Sequence, residues 1–116
     1  MMLVQRSGDM LTASGPGGIN EIQYAALLMM IAVHTGYTPG VFSHVVANEQ
    51  IYDRHFDAAD EMMSRAAIPW EQDTLYGIPC LYIKEDVDNF YDITIDDFVM
   101  TNYNPIKPQL KLELGI

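Results

Sequence analysis

At 116 residues, with 16 Asp and Glu against 6 Lys and Arg and a net charge of −10, the chain has room for one domain, and that domain is acidic. Binding nucleic acid or an anionic membrane surface needs clustered Lys and Arg, so the charge argues against both. A hydrophobic content of 49% is ordinary for a globular protein able to bury a core. The single cysteine, Cys80, rules out a disulfide within the chain. It makes a reducing, cytoplasmic setting the expectation. The longest apolar run, Tyr24 to Val33, is half of the roughly 20 residues needed to span a bilayer, and no secretory signal precedes it.

In chain order, Met2-Leu3-Val4 predicts a strand with no lead-in, as if the chain were a piece of something longer. Polar and charged residues follow at Gln5-Arg6-Ser7-Gly8-Asp9. Met10 to Gly18 predicts a loop. It lacks the Gly-Lys-Ser/Thr ending of a P-loop and any Gly-x-Gly-x-x-Gly. Asn20 to Gly36 predicts a helix, with Asn20 at the N-cap, Gln23 three residues on, Glu21 in the first turn and Gly36 at the end. Being apolar on nearly every side, this helix is expected to be buried on most of its circumference. His34, in its last turn, is expected to complement the helix dipole rather than bind a ligand.

Val41 to Tyr52 predicts one long strand. Period-2 alternation would set Phe42, His44, Val46, Asn48, Gln50 and Tyr52 on one face. Gln50 and Tyr52 could then hold two neighbouring groups of one ligand, or simply face water. Asp53 to Ala66 predicts an amphipathic helix capped by Asp53 and ended by Ile68-Pro69-Trp70. Asp57, Asp60 and Glu61 would form its solvated face, and Phe56, Met62 and Met63 its core side. Ile78 to Lys84 and Asp97 to Tyr103 predict strands, and Thr94 to Phe98 a helical turn capped by Thr94. The acidic stretch Glu85 to Asn89 fails the EF-hand template, because Phe90 and Tyr91 stand where a ligand and Gly belong. His34, His44 and His55 show no metal-ligand spacing, so no metal is expected. Cys80, on an apolar strand, is expected to be a buried structural thiol. Asn104-Pro105 and Lys107-Pro108 predict a turn, and Leu110 to Ile116 an extended tail.

The ordered set Gln5-Arg6-Ser7-x-Asp9, then Asn20, Tyr24-Ala25-Ala26-Leu27-Leu28, Ile51-Tyr52 and Tyr103-Asn104-Pro105 resembles thymidylate synthase. The likeness covers essentially the whole chain and corresponds to the C-terminal portion of that family's chain. It implies an α+β fold, a mixed β-sheet packed against a long buried helix, in a single domain over residues 1–116. It also implies the synthesis of dTMP from dUMP with 5,10-methylenetetrahydrofolate as co-substrate, in a cytoplasmic homodimer that pairs through the sheet face. Carried over by position, Arg6 and Ser7 resemble the pair on the dUMP phosphate. Asp9 resembles the residue on the folate's pterin that also offers its backbone to uracil, and Asn20 the residue that reads the uracil edge. A primary amide there suits uracil, whereas Asp would suit cytosine, and plain N-capping is the competing use of Asn20.

Gln50, Ile51 and Tyr52 fall where the family contacts the ribose hydroxyl, with Gln50 in place of the usual His. Gly8 stands where the family often has Cys, and the Met10–Gly18 connection is longer than the family's. Gly115 and Ile116 resemble the tail that folds over the folate. The family's nucleophile is a Cys in a Pro-Cys-His context upstream of the Gln-Arg-Ser motif. Pro79-Cys80-Leu81 lies downstream without the His, so Cys80 is not expected to be catalytic. The chain is therefore expected to supply nucleotide and folate contacts, and to be inactive by itself. The alternatives are a non-catalytic nucleotide-binding module and an enzyme resembling a deoxyuridylate hydroxymethylase.

Overall fold

The computed structural model describes residues 1–15, 18–66 and 79–113. The fold is α+β. The predicted Ile68-Pro69-Trp70 stop, the start of the strand at Ile78, and Gly115-Ile116 lie outside the described residues.

The first half is a strand–helix–strand unit. Strand β1 (Met2–Gln5) and a two-residue strand β2 (Gly8–Asp9) run parallel to β3 (Ser43–Val46) and β4 (Glu49–Gln50). Parallel neighbours need a long crossover, and helix α1 (Ile19–Thr35) supplies it. Both pairs keep the same offset along the chain, from Met2 opposite Ser43 to Asp9 opposite Gln50. The two pairs are thus one ladder, interrupted where Arg6-Ser7 face Ala47-Asn48. Two backbone hydrogen bonds hold the edges of the gap, Ala47 N–H to Gln5 O at 2.9 Å and Gly8 N–H to Asn48 O at 3.0 Å. The long strand expected over residues 41–52 is therefore broken, because its partner leaves the ladder for two residues.

Helix α1 differs from its predicted form at the start. Its N-cap is Gly18, with no side-chain cap, and Asn20 lies inside the first turn. At the other end Gly36 takes φ +70°, where a Cβ is strained, and Tyr37 N–H closes on Ala32 O at 2.9 Å. The helix is less covered than its composition suggests. Of its side chains only Ala32 is buried, while Ile19, Ile22 and Ile31 are exposed, because the described strands shield only part of its circumference.

Helix α2 (Phe56–Ala66) follows a tight turn at Asp53–His55, so Asp53 is a first-turn residue and not the cap. Phe56, Met62 and Met63, expected on a core side, are exposed. What anchors this helix is polar. Arg65 Nε donates to Glu61 at 2.7 Å, and its guanidinium also donates to Pro108 O at 2.7 Å. His55, 2% exposed, donates from Nε2 to Glu113 O at 2.8 Å. The C-terminal stretch is thereby tied back to the segment that carries Tyr52.

The second half is an antiparallel pair, β5 (Cys80–Ile83) with β6 (Phe98–Thr101), lying against α1. Strand alternation turns Leu81 and Ile83 inward and Cys80 and Tyr82 outward. Cys80 is therefore exposed, contrary to the buried thiol expected. Ile83 is the other buried apolar side chain among the described residues. His34 has a use the sequence does not show: its Nδ1 accepts the Phe90 N–H at 3.2 Å, and its ring meets Phe90 and Tyr91 edge-on.

The predicted turn at Thr94 is present, over Ile95–Asp97. The Asp97 carboxylate accepts from Thr94 N–H at 2.8 Å and from Thr94 Oγ at 2.7 Å. These bonds to the charged form hold the Asp97 carboxyl below its usual value. A lowered folded value means stability that is present above the unfolded pKa and lost as pH falls through the folded one. On acidification the Thr94 amide resonance should titrate with its midpoint below about pH 4, the ordinary range for Asp. Titration of that resonance near pH 4 or above would show the carboxylate bonds absent in solution.

Candidate functional site

The ladder brings the polar residues of two distant segments together. Gln5 to Asp9 run alongside Val46 to Gln50, and the gap in the ladder frees two consecutive residues, Arg6 and Ser7, from strand pairing. Both are exposed. Arg6 makes no hydrogen bond or ion pair among the described residues, so a guanidinium fork stands available beside a hydroxyl. Asp9 and Gln50 are direct neighbours across the ladder.

The bend after β2 is shaped by Asp9. Its carboxylate accepts from Leu11 N–H at 3.2 Å and from the Thr12 hydroxyl, which caps a single wide helical turn at Met10–Ser14. The connection expected to be a loop is thus partly ordered. Each Asp9 oxygen has one donor, so a lone pair remains on each for a further partner. The turn ends with Ser14, buried against Gly8, its Oγ donating to Glu49 Oε1 at 2.7 Å. A Cβ placed on Gly8 would lie 1.9 Å from Ser14 Oγ and 2.6 Å from Ser14 Cβ. Gly8 is required by space, since among the described glycines only Gly36 takes a positive φ.

Asn20 joins this wall from the helix. Released from capping, its Nδ2 donates to Gln5 Oε1 at 3.1 Å. His44 Nε2 approaches the same oxygen at 3.1 Å, and His44 Nδ1 stands 3.4 Å from Glu21 Oε1. Gln5 Nε2 donates to Ser7 O at 2.7 Å. Gln5 thus links the exposed Arg6-Ser7 pair to Asn20. An open groove of about 410 Å³, lined by Glu21, Ile22, Ala25, Phe42 and His44, lies alongside.

The expected contacts of residues 50–52 are only partly arranged. Gln50 is on β4, but Ile51 and Tyr52 lie beyond the strand, so alternation does not by itself pair Gln50 with Tyr52. Tyr52 is half exposed instead, its ring edge-on to His55 with centroids 5.6 Å apart and with Arg54 5.8 Å from its centroid. Gln5, His44, Ser14 and Glu49 are the residues sequence reasoning did not place in the site. Strand register and the turn after β2 bring them together, and residue spacing along the chain carries no signal of either. The described residues bring together no group of three or more His, Cys, Asp or Glu able to hold a metal, and none of their helices is long and apolar enough to cross a membrane.

Comparison with known proteins gives one consistent answer. The family model described as thymidylate synthase matches residues 1–116. The chain is 43% identical over 114 residues to a thymidylate synthase of Streptococcus suis, and 44% identical over 114 residues to one of Lactococcus lactis subsp. cremoris. In both cases it covers 98% of its own length and 38% of the relative's. Among solved structures, the thermostable thymidylate synthase A of Bacillus subtilis superposes with a TM-score of 0.75 at 33% identity, over 93% of this chain and 35% of that one.

Proposed function

The chain belongs to the thymidylate synthase family, and from that premise we propose that it forms the nucleotide- and folate-contacting wall of a site that converts dUMP to dTMP. The observation that carries this reading is the break in the parallel ladder, which frees Arg6 and Ser7 together and sets them one hydrogen-bonded residue away from Asn20.

Arg6 and Ser7 bind the phosphate, the guanidinium by paired charge-assisted bonds and the hydroxyl by one more. Asn20 reads the pyrimidine edge. It is free for this because Gly18, not Asn20, caps α1. The backbone at Gly8 and Asp9 faces the base, and Gln50, Ile51 and Tyr52 line the ribose side. Gln50 can donate to or accept from a 3′-hydroxyl as the usual His does. The remaining lone pairs of Asp9 suit the pterin N–H groups of 5,10-methylenetetrahydrofolate, which supplies the carbon and the hydride when bound. Gly115 and Ile116, which resemble the tail that folds over the folate, lie outside the described residues. No residue on this wall is a nucleophile: Cys80 is on β5, on the outward face of the antiparallel pair. The chain spans 38% of the length of the curated relatives, and these 116 residues alone should form no dTMP. Met2, Val4 and Val45 leave the outer face of β1 and β3 apolar and exposed, which suits a second copy covering it in a cytoplasmic homodimer.

Calorimetric titration tests the reading. The 116-residue protein should bind dUMP more tightly than millimolar and deoxyuridine at least tenfold more weakly, since the phosphate contacts are lost. Equal affinity for both would remove Arg6 and Ser7 from the phosphate site, and dTMP formation by the purified chain would contradict the absence of a nucleophile.

A further inference from the structure

Asn20 can present its amide in two ways, and the difference decides which base it accepts. Uracil offers N3–H and O4, so it needs an acceptor and a donor, whereas cytosine offers N3 and an amino group and needs the reverse. Flipping the Asn20 amide would therefore exchange one preference for the other. In the structure its Nδ2 is directed at Gln5 Oε1. A flipped Asn20 would set oxygen against oxygen there.

The lock holds only if Gln5 cannot flip as well. Its Nε2 is committed to Ser7 O at 2.7 Å, an atom that can only accept. Its Oε1 is approached by His44 Nε2 at 3.1 Å. The His44 side chain is 5% exposed, with Glu21 Oε1 3.4 Å from its other nitrogen, and its ring stacks on Phe42 with centroids 6.3 Å apart. With a proton on Nε2 the imidazole donates to Gln5 Oε1. A flipped Gln5 would lose the Ser7 bond and turn its NH₂ onto the His44 N–H. We propose that His44 is a specificity-determining positioning residue: by donating to Gln5 Oε1 it fixes the Gln5 amide, which fixes the Asn20 amide in the orientation that accepts uracil over cytosine. It touches no part of the nucleotide itself.

The proposal rests on the nucleotide-site reading above, and the test separates the two. The 116-residue protein, His44→Phe and His44→Gln are each titrated with dUMP and dCMP. His44→Phe keeps a ring on Phe42 and removes the donor. It should lower the preference for dUMP over dCMP about five- to tenfold, the worth of one buried hydrogen bond. His44→Gln, which can still donate, should recover most of the preference. A ratio unchanged in His44→Phe, or a parallel loss for both nucleotides, would overturn the proposal and leave the site reading standing. Failure of the unsubstituted protein to bind either nucleotide would overturn both. A ligand-free measurement covers the case of a variant that does not fold: in the unsubstituted protein the Asn20 side-chain N–H directed at Gln5 Oε1 should exchange with solvent more slowly than that of an exposed Asn. Exchange as fast as that of an exposed Asn would sink the lock.

Discussion

Gly8→Cys should destabilise the protein by about 3 kcal/mol, the upper part of the range for overpacking. A loss of that size lowers the melting temperature of a chain this long by roughly 10–20 °C. The added Cβ falls 1.9 Å from Ser14 Oγ and 2.9 Å from Glu49 Oε1. Ser14 is buried at the end of a turn that Asp9 caps, so it cannot swing clear without undoing the turn. Its hydrogen bond to Glu49 is lost with it. Gly8→Ala should cost nearly as much, because the Cβ alone makes the clash. Gly8→Ala combined with Ser14→Gly should recover most of the loss. Thermal melts of the three variants check this. A Gly8→Ala variant as stable as the parent, or a double variant no better than the single, would show that Ser14 does not occupy the space.

Arg6→Ala should weaken dUMP binding about 10- to 100-fold, since hydrogen bonds to a charged group are worth roughly 1.5–3 kcal/mol. On the proposed reading the loss should be the same for dCMP, because a phosphate contact does not distinguish the bases, and deoxyuridine should be unaffected. Arg6→Lys should fall between, as the charge stays but the two-pronged geometry goes. Calorimetry with the three ligands decides it. A loss confined to one base, or shared by deoxyuridine, would remove Arg6 from the phosphate. Together with His44→Phe this gives opposite signatures: one variant changes affinity without discrimination, the other discrimination more than affinity.

The elements were mostly legible in the sequence, and their partners were not. The apolar run between Asn20 and Gly36 announces a helix, and a helix is there. Asn20 looks like its cap because Asn is a good cap in isolation. In the structure Gly18 takes the cap position, and Asn20, inside the first turn, donates to Gln5 on β1. The long strand over residues 41–52 has the right composition, and its break is imposed from outside, by the two residues at which its partner leaves the ladder. Met62 and Met63 have the helical spacing of core residues, and spacing says nothing about whether another element arrives to cover them.

The candidate site divides the same way. Arg6, Ser7, Asp9 and Asn20 were legible because their order along the chain resembles a family motif. Their mutual arrangement was not, since it depends on the register of strands that lie far apart in sequence. His44 shows why. As a lone histidine on a strand it reads as one side chain on a face, and only the pairing of Leu3 with His44 brings it beside Gln5. Gly8 is expected from the resemblance to be a departure, and the turn that ends at Ser14 leaves no room there for a side chain.

The most direct test of the central claim, that Arg6, Ser7 and Asn20 form one wall around one nucleotide, is a dUMP titration of isotopically labelled protein followed by nuclear magnetic resonance. The Arg6 and Ser7 backbone amides, the Arg6 guanidinium and the Asn20 side-chain amide should shift together with a single dissociation constant. Gln50 should follow, while the β5–β6 pair, a separate sheet not hydrogen-bonded to the ladder, stays still. Shifts at Arg6 and Ser7 without any at Asn20, or two different dissociation constants, would contradict it.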